Sequence, residues 1–180
     1  MMKNVLYKGR PESCDGRLEK EIKCYDFLDS LGIEYERVDH DALMTMEDCA
    51  EVDKTVNATV CKNLLLRNSQ KNKFYLLMIA PDKRFDTKKF SQSLEISRCS
   101  FAEAEFMEKF LDITPGSLSP LGLINDRDNS VRLIVDKALL SGEYIGVHPC
   151  INTSTLKIKT KDLLDAAIKQ TGHDYTTIEI

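Results

Sequence analysis

The chain lacks the features that would send it into a membrane or out of the cell. Among its 180 residues no apolar run approaches the roughly 18 needed to span a bilayer. The opening stretch Met1-Met2-Lys3-Asn4-Val5-Leu6-Tyr7 has no signal-peptide core. A soluble, cytoplasmic protein is expected. No C-x-x-C pair occurs among the six cysteines, at 14, 24, 49, 61, 99 and 150, so they read as reduced thiols and not as a disulfide framework. Cys24 and Cys61 lie in apolar stretches, where a free cysteine packs as a small hydrophobe. The histidines His40, His148 and His173 are too scattered for zinc spacing, and neither metal nor cofactor is expected. With no G-x-S-x-G and no P-loop, a serine hydrolase or a nucleotide phosphate site has no motif behind it. Positive charge is short as well. A net charge of −4 argues against coating nucleic acid over a broad surface, though it leaves room for contact with one tip of an RNA. No repeat, low-complexity tract or linker divides the chain, and a single domain over residues 1–180 is expected.

What is present is an interleaving of helical and strand periods. Leu18, Ile22, Tyr25, Leu28 and Leu31 recur at helical spacing before Gly32, and Ile33 to Val38 follows as a strand. Thr45 with Asp48 predicts a helix start. Val60 to Arg67 and Lys73 to Ala80 predict a hairpin across a polar loop, and the second run, apolar on both faces, should be covered on both sides. A helix is expected from Asp86 to Leu94. Ser100-Phe101-Ala102-Glu103 reads as a capping box opening another. Strands at Val131–Val135, Tyr144–Val147 and around Leu156–Ile158 precede a last helix capped by Thr160. The pattern implies a mixed α/β (α+β) fold: a curved, largely antiparallel, barrel-like sheet with helices packed outside.

Three segments hold groups that patterning alone leaves unexplained. Lys62 alternates with Val60, Leu64 and Leu66, so a charged amine stands on an apolar face; it either snorkels at a strand end or points into a site. Asn63 faces the other way. Thr114-Pro115-Gly116-Ser117-Leu118-Ser119-Pro120-Leu121-Gly122 is a loop that can aim backbone N–H groups at developing negative charge, or serve simply as a turn. His148-Pro149-Cys150-Ile151-Asn152-Thr153 joins two strands, with His148 as base, donor or stacking ring, or as part of a structural corner. A local Cys150–His148 catalytic pair is disfavoured, because near neighbours on a strand diverge. Lys83-Arg84, Lys88-Lys89 and Lys157, Lys159, Lys161 are local cationic groups that a solvated face also explains.

Taken together, Cys61 to Arg67, Ala80 to Arg84, Thr114 to Asp126 and Gly146 to Thr155 resemble, in order and spacing, the freestanding prolyl-tRNA editing family (the ProX and YbaK type of aminoacyl-tRNA deacylase). The likeness runs over about residues 17 to 172. It implies the same barrel-like α/β fold and hydrolysis of the ester that joins a wrong amino acid to tRNA. The family's required lysine falls on Lys62 with Asn63 beside it, its glycine-serine loop on Gly116, Ser117 and Ser119, and its histidine motif on His148, Asn152 and Thr153. Lys62, Gly116 and Ser117 are the expected catalytic groups. Asn63, Ser119, His148, Asn152, Thr153, Lys83 and Arg84 are the expected substrate contacts. The expected partner is the acceptor end of proline tRNA, with prolyl-tRNA synthetase as a further one. Alanine is the first choice of misattached amino acid, because Thr114 to Asp126 looks most like that branch. Leu31, Ile33 and Leu43 are expected to narrow the pocket against proline. The alternatives are a cysteinyl-tRNA(Pro) deacylase, a non-catalytic tRNA- or synthetase-associated module, and a regulatory ligand-binding domain.

Overall fold

The computed structural model describes residues 5–42 and 46–180, the side chains of 46–50 excepted. Thr45, Asp48 and Leu43 therefore lie outside the described side chains. In chain order the elements are β1 (Leu6–Lys8), α1 (Glu19–Ser30), β2 (Tyr35–Asp39), α2 (Met46–Val56), β3 (Thr59–Val60), β4 (Lys62–Arg67) and β5 (Phe74–Ile79). They continue with α3 (Thr87–Ser93), β6 (Ser100–Phe101), α4 (Ala104–Leu111), a 3-10 turn at Pro120–Ile124 and β7 (Val131–Asp136). A second 3-10 turn at Lys137–Ser141, β8 (Tyr144–Val147), β9 (Ser154–Lys159), a π-helical stretch Asp162–Ala167, α5 (Ile168–Gln170) and β10 (Tyr175–Ile178) complete the chain.

The doubly apolar run sits where its pattern demands. All six residues of β5 are buried, in the middle of the sheet ordered β10-β7-β5-β4-β6. Phe74, Leu76 and Met78 enter the main core with α1 and α4 residues. Tyr75, Leu77 and Ile79 pack on the opposite face with Phe90 of α3. Each fully buried aliphatic side chain there stabilises the fold by about 1.5–3 kcal/mol over its exposed state. The predicted hairpin is present in the register Lys62↔Ile79 to Arg67↔Phe74. Asn68 organises its turn by accepting from the N–H groups of Asn72 and Lys73.

The expected barrel does not close. Two open five-stranded sheets form, the second ordered β1-β2-β9-β8-β3. The reason is a switch at Cys61. Residues Thr59–Val60 pair parallel with β8, whereas Lys62 onward pairs with β5. Gly146 permits the switch, because a Cβ there would lie 2.5 Å from Val60 Cγ2. Val60 therefore packs with Val38, Val52 and Val56, and not beside Leu64 and Leu66. Most pairings are antiparallel, but β5·β7, β7·β10 and β3·β8 are parallel, each joined by the long crossover that parallel pairing requires.

Two expected caps are not formed. Ser100 and Phe101 belong to edge strand β6, and Glu103 makes no capping bond at α4. Its carboxylate goes to Arg67 and Lys71, at 2.8 Å each, and the Arg67 hydrogen bond above all holds it at about 2. Two cations outcompete a backbone N–H for a carboxylate. Thr160 likewise donates its hydroxyl to Gly142 O at 2.6 Å, bracing the segment before β8.

Candidate functional site

The site forms where the sheet switch, the loop before Pro120 and the β8–β9 turn meet. Asn63 opens β4 and its Nδ2 donates to Leu118 O at 3.0 Å, tying strand to loop. Within the loop, Ser117 N–H closes a turn onto Thr114 O at 3.1 Å. Gly116 lies at φ +90°, a conformation that side chains rarely adopt, and an added Cβ would lie 3.7 Å from Asn152 Nδ2. The backbone angle, and not lack of space, is what calls for glycine here, and the distance places the loop beside the β8–β9 turn. Gly116 is exposed, and among the described residues neither its N–H nor that of Leu118 donates to another backbone group. Leu118, unlike Gly116, is a buried residue.

Ser119 plays a different part from the expected contact. It is fully buried, and its Oγ accepts from Leu121 N at 3.2 Å, capping the 3-10 turn. It shapes the loop from beneath. Ser117 is also mostly buried, at 5% exposure, so the loop's chemistry lies in its backbone.

His148 stands at the start of the β8–β9 turn, and its protonation pattern follows from its partners. Ser154 O can only accept, so His148 Nδ1, at 2.8 Å, must carry the proton. The neutral ring then presents Nε2 as a lone-pair acceptor. Thr155 Oγ1 lies 3.4 Å from the same Nδ1 and 3.0 Å from His40 Nε2. His40 Nδ1 faces Asp41 O at 2.9 Å and must donate to it. One consistent chain results: His148 Nδ1–H leans toward Thr155 Oγ1, Thr155 O–H donates to His40 Nε2, and His40 Nδ1–H donates to Asp41 O. Burial depresses the pKa of both histidines below the ordinary value, and for His148 the nearby His40 adds to it. Both rings are neutral near pH 7. The turn is further anchored by His40 N–H on Thr153 O at 3.0 Å. Asn152 is half-buried and Thr153 exposed on the same turn.

The two thiols nearest the site, Cys61 and Cys150, are buried. Burial pushes Cys61 up to about 12. Cys150, at φ +61°, is buried with its Sγ 3.5 Å from Cys24 Sγ. It points away from His148, which removes a local Cys–His pair.

Lys62 is not gathered with these groups. It is exposed on the opposite face of β4 from Asn63, with Nζ 3.3 Å from Lys83 O. Lys83 in turn is committed to the fully buried Asp136, at 2.8 Å, which also accepts from the N–H groups of Ala80 and Ala138. That leaves Arg84 as the exposed cation of the pair. Leu31 and Ile33 are not at the site. Both pack on the main core, and Ile33 lines a groove with Tyr144, Lys157 and Lys159, at the end of β9 away from Ser154. His40 and Thr155 were missed by sequence reasoning. The signal was available for Thr155, which ends the Gly146–Thr155 stretch; His40 had none, lying 115 positions from its partner.

Comparison with known proteins is consistent with this arrangement. The sequence profile of the aminoacyl-tRNA editing domain matches residues 40–166, which hold every group of the site. The chain belongs to the aminoacyl-tRNA editing family. The prolyl-tRNA editing protein ProX of Acetoanaerobium sticklandii is 31% identical over 153 residues, covering 85% of this chain and 93% of that one. A mouse (Mus musculus) protein named for a prolyl-tRNA synthetase associated domain is 28% identical, over 82% of this chain and 88% of its own. A crystal structure described as a candidate trans-editing enzyme for prolyl tRNA synthetase superposes with a TM-score of 0.67 at 15% identity, covering 91% and 98% of the two chains, a likeness of fold. By family the protein is an aminoacyl-tRNA deacylase. Among the described residues no three His, Cys, Asp or Glu side chains group as metal ligands, and no helix is long and apolar enough to cross a membrane.

Proposed function

We propose that this protein hydrolyses the aminoacyl ester of mischarged proline tRNA in trans, with alanyl-tRNA(Pro) as its substrate. The observation that carries the reading is the pairing of unclaimed amides at Gly116 and Leu118 with a neutral histidine whose Nε2 is open. An aminoacyl ester is already activated, so it needs only a positioned water and stabilisation of the oxyanion. The amides of the Gly116 loop are the oxyanion donors. His148 Nε2 accepts a hydrogen bond from the water or from the vicinal ribose hydroxyl, and Asn152 and Thr153 border the same space. Lys62, across the strand, supplies positive charge to the RNA end, and Arg84 extends it. The prolyl assignment draws on the ProX relative, and the choice of alanine on the Thr114–Asp126 stretch.

The test mixes the protein with alanyl-, cysteinyl- and prolyl-charged proline tRNA and follows loss of the ester. The expected result is rapid loss of alanine, sparing of proline, and, for a folded Lys62→Ala protein, a rise in KM larger than the fall in kcat, as for a cation that positions the RNA end. Hydrolysis of the cysteinyl ester alone would move the substrate to the cysteinyl branch. Failure on all three esters would leave the associated, non-catalytic module as the better reading.

A further inference from the structure

Beside Lys62 the β4–β6 edge exposes an aromatic surface that the ester chemistry does not use. Phe101 in β6 pairs across from Leu66, so its ring lies on the same face of the sheet as Lys62, Leu64 and Leu66. It is 56% exposed, second only to Leu18 among the large apolar side chains of the described residues. Its ring meets that of Phe85 edge-on at 5.6 Å, and Phe85 leans in turn on buried Phe90 at 5.8 Å. The platform is therefore braced from behind while its outer ring faces solvent. Strand β6 has only two residues, so the edge of β4 from Lys62 to Leu64 lies beyond its pairing, and Leu64 is half-exposed there.

An apolar patch of this kind invites several occupants, and charge selects among them. Residues 82–101 carry five cations (Lys83, Arg84, Lys88, Lys89, Arg98) against three carboxylates (Asp82, Asp86, Glu95); with Lys83 spent on Asp136, four cations face three carboxylates, within a chain of net charge −4. The next carboxylate, Glu103, is neutralised by Arg67 and Lys71. Exposed aromatic rings interleaved with cations are the means by which proteins hold single-stranded nucleic acid, stacking bases while the cations follow the phosphates. The length also fits. Lys62 and Leu66 are four residues apart on one strand, about 13 Å, long enough for three or four stacked nucleotides, which span about 7–10 Å at roughly 3.4 Å per step. A tRNA acceptor end carries four unpaired nucleotides, the discriminator base and CCA.

We infer that the Phe101–Phe85 edge is a stacking platform for the unpaired nucleotides that lead to the 3′ end of the acceptor, running from Phe101 toward Lys62, where the terminal nucleotide leaves it for the Gly116 loop across the strand. This rests on the proposed tRNA substrate but concerns binding and not hydrolysis, so the two can fail separately. Phe101 is a positioning residue here.

The experiment measures binding of two uncharged acceptor minihelices, one ending in ACCA and one blunt, to wild type, Phe101→Ala and Phe101→Trp. Phe101→Ala should weaken binding of the ACCA-ended minihelix about tenfold, the factor expected for one lost base stack, and Phe101→Trp should restore it. The blunt minihelix should bind all three proteins with one weak affinity. In turnover, Phe101→Ala should raise KM for the charged minihelix far more than it lowers kcat. Equal binding of the ACCA end by wild type and Phe101→Ala would overturn the inference. So would a change of sedimenting mass in Phe101→Ala with RNA affinity unchanged, which would give the patch to a second copy of the chain. Wild type that binds the ACCA end through Phe101 yet hydrolyses no ester would uphold the platform while removing the proposed activity.

Discussion

All three histidines in this chain are held in hydrogen-bonded networks, and the networks leave His173 and His148 very different work to do. His173 is buried with both ring nitrogens claimed: Nε2 sits 3.0 Å from Asp126 Oδ2 and Nδ1 sits 2.9 Å from Thr171 Oγ1. Asp126 accepts as well from the N–H groups of Ser130 and Val131. Nothing remains for a ligand, and the group serves to pin the start of β7 to the turn before β10. His148 is only partly buried and spends one nitrogen. The polar chain through Thr155 and His40 fixes which nitrogen that is. The number of partners a histidine has is therefore less telling than the lone pair it has left. The resemblance had already placed His148 in a motif; the geometry adds which nitrogen is left unbonded.

The sharpest way to break this contrast is to remove each ring in turn. His173→Ala removes one hydrogen-bond partner of the buried Asp126, and leaving a buried group short of a partner costs about 1–3 kcal/mol. Chemical denaturation should record a loss of that size, while kcat/KM of the remaining folded enzyme changes less than twofold. His148→Ala should do the reverse. Loss of a positioned acceptor at the reacting end should lower kcat/KM about 100-fold, with stability within about 1 kcal/mol of wild type. If His173→Ala were the more damaging to catalysis, the division between the two sites would be wrong.

A pH series sharpens the same contrast. Both His40 and His148 titrate below the ordinary histidine value because burial disfavours their charged forms. Between the depressed pKa and about 6.5 the unfolded chain binds more protons than the folded one, so stability rises with pH in that window and is lost as pH falls through it. Protonating His148 also removes the Nε2 acceptor. Deacylation should thus be level above about pH 6.5 and fall below it, with a midpoint lower than that of an unperturbed histidine, and the melting temperature should drop over the same range. A midpoint above 7 would contradict a neutral, buried ring.

The fold was legible in the sequence where one strand's own composition decided its surroundings. β5 is apolar on both faces, and no arrangement but a central, doubly covered strand satisfies it. The break at Cys61 was not legible, because apolar and β-branched residues continue through Thr59, Val60, Leu64 and Leu65 and alternation carries no mark of which sheet a residue joins. The same blindness made two open sheets look like one curled barrel. Within the site, the loop and turn stood out through their Gly, Ser, Pro and His content. Partnerships made over long separations did not. Lys83 offered itself as an RNA contact until its mate proved to be Asp136, 53 positions away. The expected capping box at Ser100 failed for a related reason: Arg67, 36 positions distant, had a stronger claim on Glu103.

The smallest expected effect tests the least visible part of the comparison, the Thr155 hydroxyl. Thr155 is fully buried and its Oγ1 joins the two rings, donating to His40 Nε2 and facing His148 Nδ1–H. Thr155→Val keeps the branched shape on β9 but leaves a buried lone pair on His40 unsatisfied, at a cost of about 1–3 kcal/mol in stability. The Ser154 carbonyl still holds Nδ1–H, so His148 keeps its tautomer and loses only part of its orientation. A three- to tenfold fall in kcat/KM is therefore expected, roughly the loss of one weak positioning contact. Thr155→Ser, which retains the hydroxyl, should recover most of that activity even though its smaller side chain packs less well. If Val matched wild type and Ser did not, β9 packing would be what matters, and the hydrogen-bonded chain from His148 to His40 would have no part in aiming Nε2.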